Sequence, residues 1–113
     1  MPPSDSDRFL HMLEAARDAV AFGSGRSRAD LESDRMLAYA LVRCLEIIGE
    51  AATRVSEVGR QAHPTIAWLQ IRRMRNILSH VYFGIDLDVV WQTVREDLPS
   101  LIATLEQILG EAT

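Results

Sequence analysis

Residues 75 to 82, RNILSHVY, bring Arg75, Asn76, Ser79, His80 and Tyr82 into one short stretch. These side-chain types suit a phosphodiester. Arginine stays protonated and offers a planar fork to phosphate oxygens. Histidine, with an ordinary pKa near ~6.5, gives or takes a proton around neutrality. RNA can be cut without a metal when its own 2′-OH attacks the adjacent phosphorus. A base must then remove that proton, an acid must protonate the leaving 5′-oxygen, and a cation must carry the charge that grows on the phosphate. Arg75 fits the cation and His80 the proton carrier. Asn76, Ser79 and the nearby Arg72 are candidates to bind or orient substrate, and Tyr82 could stack on a base or bond a phosphate.

Spacing complicates this assignment. Asn76 and His80 are four apart and share a helix face, but Arg75 and His80 are five apart. On a straight helix they point roughly 140° away from each other, with about 7.5 Å of rise between them. Two arrangements bring them together: the helix frays near Ser79, or two copies of the segment face one another across a dimer. A dimer would also supply the second histidine that separate acid and base roles require. The plain alternative is a last-turn histidine favoured by the helix dipole, with Arg75 and Asn76 bonding neighbouring loops.

Charge is distributed to match. The chain of 113 residues carries a net charge of −4, and all its basic residues are arginines. Without lysine there is no Schiff-base chemistry and no P-loop. From Val58 to Ile85 there is no Asp or Glu, while Arg60, Arg72, Arg73 and Arg75 fall inside that window. A polyanion would be drawn to this stretch, although the acidic remainder argues against general nucleic-acid binding.

Other sites are poorly supported. His11, His63 and His80 show no HxxxH or HExxH spacing, so no metal and no cofactor is expected. The lone Cys44 lies among Val42, Leu45 and Ile48 and reads as a small buried hydrophobe. The N-terminus MPPSDSDRF is no signal peptide, and no apolar run reaches the ~20 residues that span a bilayer, so a cytoplasmic protein is expected.

The elements that must position these residues read as helices. Phe9, Leu13, Ala16 and Val20 mark a first helix, with Asp5 or Ser6 as N-cap, ending at Gly23 before a flexible GSGRS connector. Leu37, Leu41, Cys44, Ile48, Ala51, Val55 and Val58 follow an unbroken 4-3 alternation, predicting one long helix that Gly59 stops. A third helix starts near Thr65 and runs through Trp68, Ile71 and Met74 towards His80. Asp86 caps the next, Pro99 either opens a further helix or kinks this one, and Gly110 ends the chain's helical run. The expectation is a single all-α domain over residues 1–113, a bundle of four to five helices with loose ends at 1–6 and 110–113, self-associating through leftover apolar surface.

Arg75, Asn76, His80 and Tyr82 as R-N-x-x-x-H-x-Y, followed by FGID and LDVVW, resemble the HEPN superfamily, and more closely its HepT-like toxins. "LEIIGEAA" (45–52), "PTIAWLQIRRMRN" (64–76) and "DLP" (97–99) carry the same likeness, which covers most of residues 34–101. The resemblance implies a homodimeric HEPN-type bundle with the motif at a composite interface cleft. It implies a metal-independent endoribonuclease, the toxin of a toxin–antitoxin pair. A MntA-like nucleotidyltransferase partner would silence it by transferring AMP onto Tyr82, placing a bulky anion beside His80. Glu50 and Arg43 could shape the site from the second helix or serve as dimer or capping contacts. The rival expectation is a helical module that docks onto, or accepts AMP from, a nucleotidyltransferase and cuts nothing.

Overall fold

The structure, a computed structural model, describes residues 3–80 and 86–111, with backbone alone at Pro3, Ile77, Ser79, His80 and Glu111. All regular structure among the described residues is helical: α1 (Pro3–Gly23), α2 (Asp30–Ser33), α3 (Arg35–Thr53), α4 (Glu57–Ala62), α5 (Trp68–His80), α6 (Leu87–Gln92), a π-helical turn over Thr93–Asp97, and α7 (Leu98–Glu111). The last three form one continuous rod. Four long helices therefore make the bundle, and α2 and α4 are short additions of one to two turns.

The 4-3 stripe builds the core as its spacing requires. Leu41, Leu45 and Ile48 of α3 are fully buried, as are Phe9, Met12, Ala16 and Ala19 of α1, against which α3 packs. Burying each large side chain contributes roughly 1.5–3 kcal/mol. The alanines of α1 let the two helices approach closely, and α3 is also the floor on which α5 packs.

Helix α3 stops at Thr53, five residues short of the Val58 that its periodicity predicts. No glycine or proline breaks it. Arg54 N–H and Val55 N–H bond back three residues in a tightened turn, and Thr53 Oγ1 donates to the Glu50 carbonyl. Ser56 then turns outward, donating its N–H (2.9 Å) and its hydroxyl (2.5 Å) to the Asp5 carboxylate while its Oγ accepts from Gly59 N–H. Ser56 thereby caps α4. Asp5 is no N-cap; it is a buried residue inside α1 that clamps the α3–α4 corner. The hydroxyl bond, then the backbone bond, hold its carboxyl below the ordinary value of 3.8. Gly59 is not the stop either. A Cβ there would sit 2.5 Å from Asp5 Oδ2, so only glycine admits the carboxylate. Val58 consequently faces solvent.

The GSGRS connector is tied down instead of flexible. Gly25 takes a φ of +73°, Asp30 accepts from Ser27 N–H, and Arg26 bridges Asp30 and Asp34, whose side chain also caps α3. The third helix opens at Trp68, three residues after Thr65, once Ile66 and Trp68 have bonded the preceding turn. Asp86 caps α6 as its position suggests, accepting from Asp88 and Val89 N–H. Pro99 lies in the first turn of α7, which opens at Leu98 directly after the π turn. Proline lacks an N–H and its ring crowds the carbonyl four residues back. The wider π turn immediately before it, closed by Leu98 N–H to the Thr93 carbonyl, absorbs that conflict.

Candidate nucleic-acid interface

Helix α5 turns Ile71, Met74 and Leu78 towards the core, and Arg75 falls on the same side at steps of four and three. An arginine can sit there because its aliphatic stem covers apolar surface. Room for the stem comes from Gly49 on α3. A Cβ at Gly49 would meet Arg75 Cβ at 2.8 Å, Cγ at 3.1 Å and Cδ at 3.2 Å. The glycine of LEIIGEAA is thus the seat of Arg75, and the buried Gly49 and half-buried Arg75 pack directly on one another. Residue type and spacing single out the arginine, whereas nothing local gives the glycine a role.

Around that seat the surface is basic. Arg72, Arg73 and Asn76 are exposed on α5. A cleft of about 220 Å³ opens between α3, α4 and α5, lined by Gly49, Ala52, Thr53, Arg60, Trp68 and Arg72, without a carboxylate. Arg60 belongs to α4, and in the sequence it stands out only as part of the acid-free window. Its Nη1 donates to the Val55 carbonyl at 2.7 Å, which tethers the guanidinium itself. Trp68 is held by its own Nε1–H bond to the His63 carbonyl, and His63 packs edge-on against Phe9. His63 is therefore structural, and His11 lies exposed on α1.

A larger cleft of about 480 Å³ lies between α5 and the α6–α7 rod, floored by Ile48. Glu96 and Asp97 line it alongside Arg73 and apolar side chains. Those carboxylates repel a polyanion, so size does not select it over the smaller basic cleft.

Helix α5 remains α-helical through His80. Fraying near Ser79 therefore does not bring Arg75 and His80 together, and their backbone positions stay about 140° apart around one helix axis. The side chains of Ser79 and His80 and the whole of Tyr82 lie outside the described residues. Glu50 and Arg54 approach to 4.0 Å one helical turn apart, and Arg43 is exposed on the same helix. Among the described residues no three His, Cys, Asp or Glu side chains stand together as metal ligands. Cys44 is buried beside the core, and that burial pushes its thiol up to about 11.

Comparison with known proteins gives one consistent result. The family model described as "Ribonuclease HepT-like" matches residues 12–108. A Thermococcus cleftensis protein whose name points to a ribonuclease HepT is 43% identical over 108 residues, covering 96% of this chain and 98% of its own. A Methanocaldococcus jannaschii protein whose name points to an RNase is 36% identical over 107 residues, covering 94% and 98%. A similarly named protein of Caldanaerobacter subterraneus is 34% identical over 99 residues, 88% of each chain. No solved structure matches.

Proposed function

The chain belongs to the HepT-like ribonuclease family, and from that premise we propose that it is a metal-independent endoribonuclease, the toxin of a toxin–antitoxin pair, acting as a homodimer. One observation carries the assignment of residues. Arg75 is seated on Gly49 by its stem, on the same helix as His80, within a stretch that contains no acid. A stem packed in that way leaves the arginine fewer conformations to lose when it meets a phosphate.

In the proposed reaction the 2′-oxygen forms a bond to phosphorus as its proton passes to a neutral His80. The bond from phosphorus to the 5′-oxygen breaks, and a protonated His80 supplies that oxygen with its proton. Arg75 carries the charge that develops on the non-bridging oxygens. A second protomer would complete the reaction in two ways: it would add the second histidine, and it would remove the need for Arg75 and His80 of one continuous helix to converge. Met36 and Tyr39, exposed on the outer face of α3, are apolar surface that association could cover. Asn76, Arg72 and Ser79 are assigned to substrate binding or orientation. AMP transferred to Tyr82 by a MntA-like nucleotidyltransferase would set an anion beside His80 and compete for the arginines. No helix among the described residues is long and apolar enough to cross a membrane.

His80→Ala and Arg75→Ala are expected to abolish RNA cleavage and growth toxicity, with helical circular dichroism and dimer mass unchanged. Cleavage by both variants at the parental rate would sink the assignment. Binding to a nucleotidyltransferase without any motif-dependent cleavage would leave only a docking module.

A further inference from the structure

The basic cleft between α3, α4 and α5 is a separate feature from the Arg75–His80 segment, yet it adjoins it. Gly49 lines the cleft and also bears the Arg75 stem, so the two features meet at this residue. Arg72 and Arg75 are three residues apart on α5, about 4.5 Å along the axis and on adjoining faces. Arg60 enters from α4, its guanidinium anchored at one edge by the Val55 carbonyl; that bond uses one of its five N–H donors and leaves four. Asp5, which bonds Ser56, feels the charge of Arg60 only weakly beside those bonds. Arg72 makes no ion pair among the described residues. The indole of Trp68, fixed by His63, gives the cleft an apolar wall suited to a sugar.

We propose that this cleft holds a second phosphate of the RNA strand, adjacent to the one at Arg75, between the guanidinium groups of Arg72 and Arg60. The proposal deepens the ribonuclease reading and rests on it for the identity of the strand. Two clamped phosphates would fix the direction of the strand as well as its position, which one guanidinium cannot do. The site also explains why Arg60 belongs to the acid-free window although it is distant from the motif in sequence. The corner made by Asp5 and Ser56 folds α4 back so that Arg60 reaches the cleft.

The test uses a fluorescent single-stranded RNA of mixed sequence, fully 2′-O-methylated so that it has no attacking hydroxyl. Its affinity for the full-length protein is measured by anisotropy over a series of salt concentrations. Arg72→Gln is expected to weaken binding about tenfold and to reduce the slope of log affinity against log salt by about 0.7, the share of one phosphate on a single strand. Arg60→Gln is expected to do the same, with its melting temperature checked because Arg60 also bonds Val55. Arg17→Gln, whose arginine is paired with Glu106, should change neither quantity. An unaltered slope in Arg72→Gln overturns the proposal. If Arg72 and Arg60 control binding in this way but the unmethylated RNA is never cut, the subsite stands and the nuclease reading falls.

Discussion

Gly49→Ala tests the seat of Arg75 most directly. The added methyl carbon would lie 2.8 Å from Arg75 Cβ and 3.1 Å from Cγ, whereas carbon atoms pack at about 3.5–4.0 Å. Something must move by roughly 1 Å, and Cβ is the rigid end of the arginine. Either α5 lifts from α3 or the stem is re-aimed. The stability effect is small because two terms oppose: alanine is favoured over glycine inside a helix by about 1 kcal/mol, and overpacking costs about 1–3 kcal/mol. The net loss is on the order of 0–2 kcal/mol, and the protein stays folded. Activity is far more sensitive, since a displacement of ~1 Å at a reacting group costs about a hundredfold, equivalent to about 2.7 kcal/mol of barrier. The assay is the rate of RNA cleavage beside a thermal melt, with Ile48→Val as control. Ile48 is fully buried one residue away, and its truncation costs about 0.5–1.5 kcal/mol without altering the seat of Arg75. Gly49→Ala should lose about two orders of magnitude in rate where Ile48→Val loses little. A folded Gly49→Ala that cleaves within a few-fold of the parent, or an Ile48→Val that falls equally far, refutes the positioning argument.

Two further outcomes follow from buried groups. Asp5→Asn should lower stability by about 1–3 kcal/mol, because it weakens two bonds that a carboxylate accepts from Ser56. Its pH dependence has a fixed sign: the carboxyl is held below 3.8 in the folded state, so its contribution is complete above that value and lost as pH falls through the lower folded one. Melts of the parent below about pH 4 should therefore lose a component that Asp5→Asn lacks; parallel curves would show that the clamp is not ionic. Cys44, buried and with its thiol pushed up to about 11, should resist a thiol reagent at pH 8 in the native protein and react only on unfolding. Rapid native labelling would contradict the packing of α3.

The helical class, the apolar stripe of α3, the cap at Asp86 and the arginine-rich, acid-free stretch are all legible in the sequence, because each rests on neighbours within a few residues. Periodicity fails at Thr53 because the element that ends α3 lies 51 residues from Ser56 along the chain. Asp5 attracts the N–H and hydroxyl of Ser56, and nothing local distinguishes Val55 from a residue in mid-helix. Gly59 misleads for the same reason: it resembles a helix stop but answers a close approach by a carboxylate from α1.

The candidate site divides along the same line. Spacing alone determines that Arg75 and His80 cannot aim at one atom from a straight helix, and residue type alone determines that they suit a phosphodiester. Only the packing of α5 on α3 decided that Arg75 is anchored through its stem by Gly49, and only the fold of α4 put Arg60 across a cleft from Arg72. Propensity, periodicity and local charge are short-range properties that a sequence displays directly. A missing side chain acquires a role from whatever another helix presses against it, and that is a property of the assembled core.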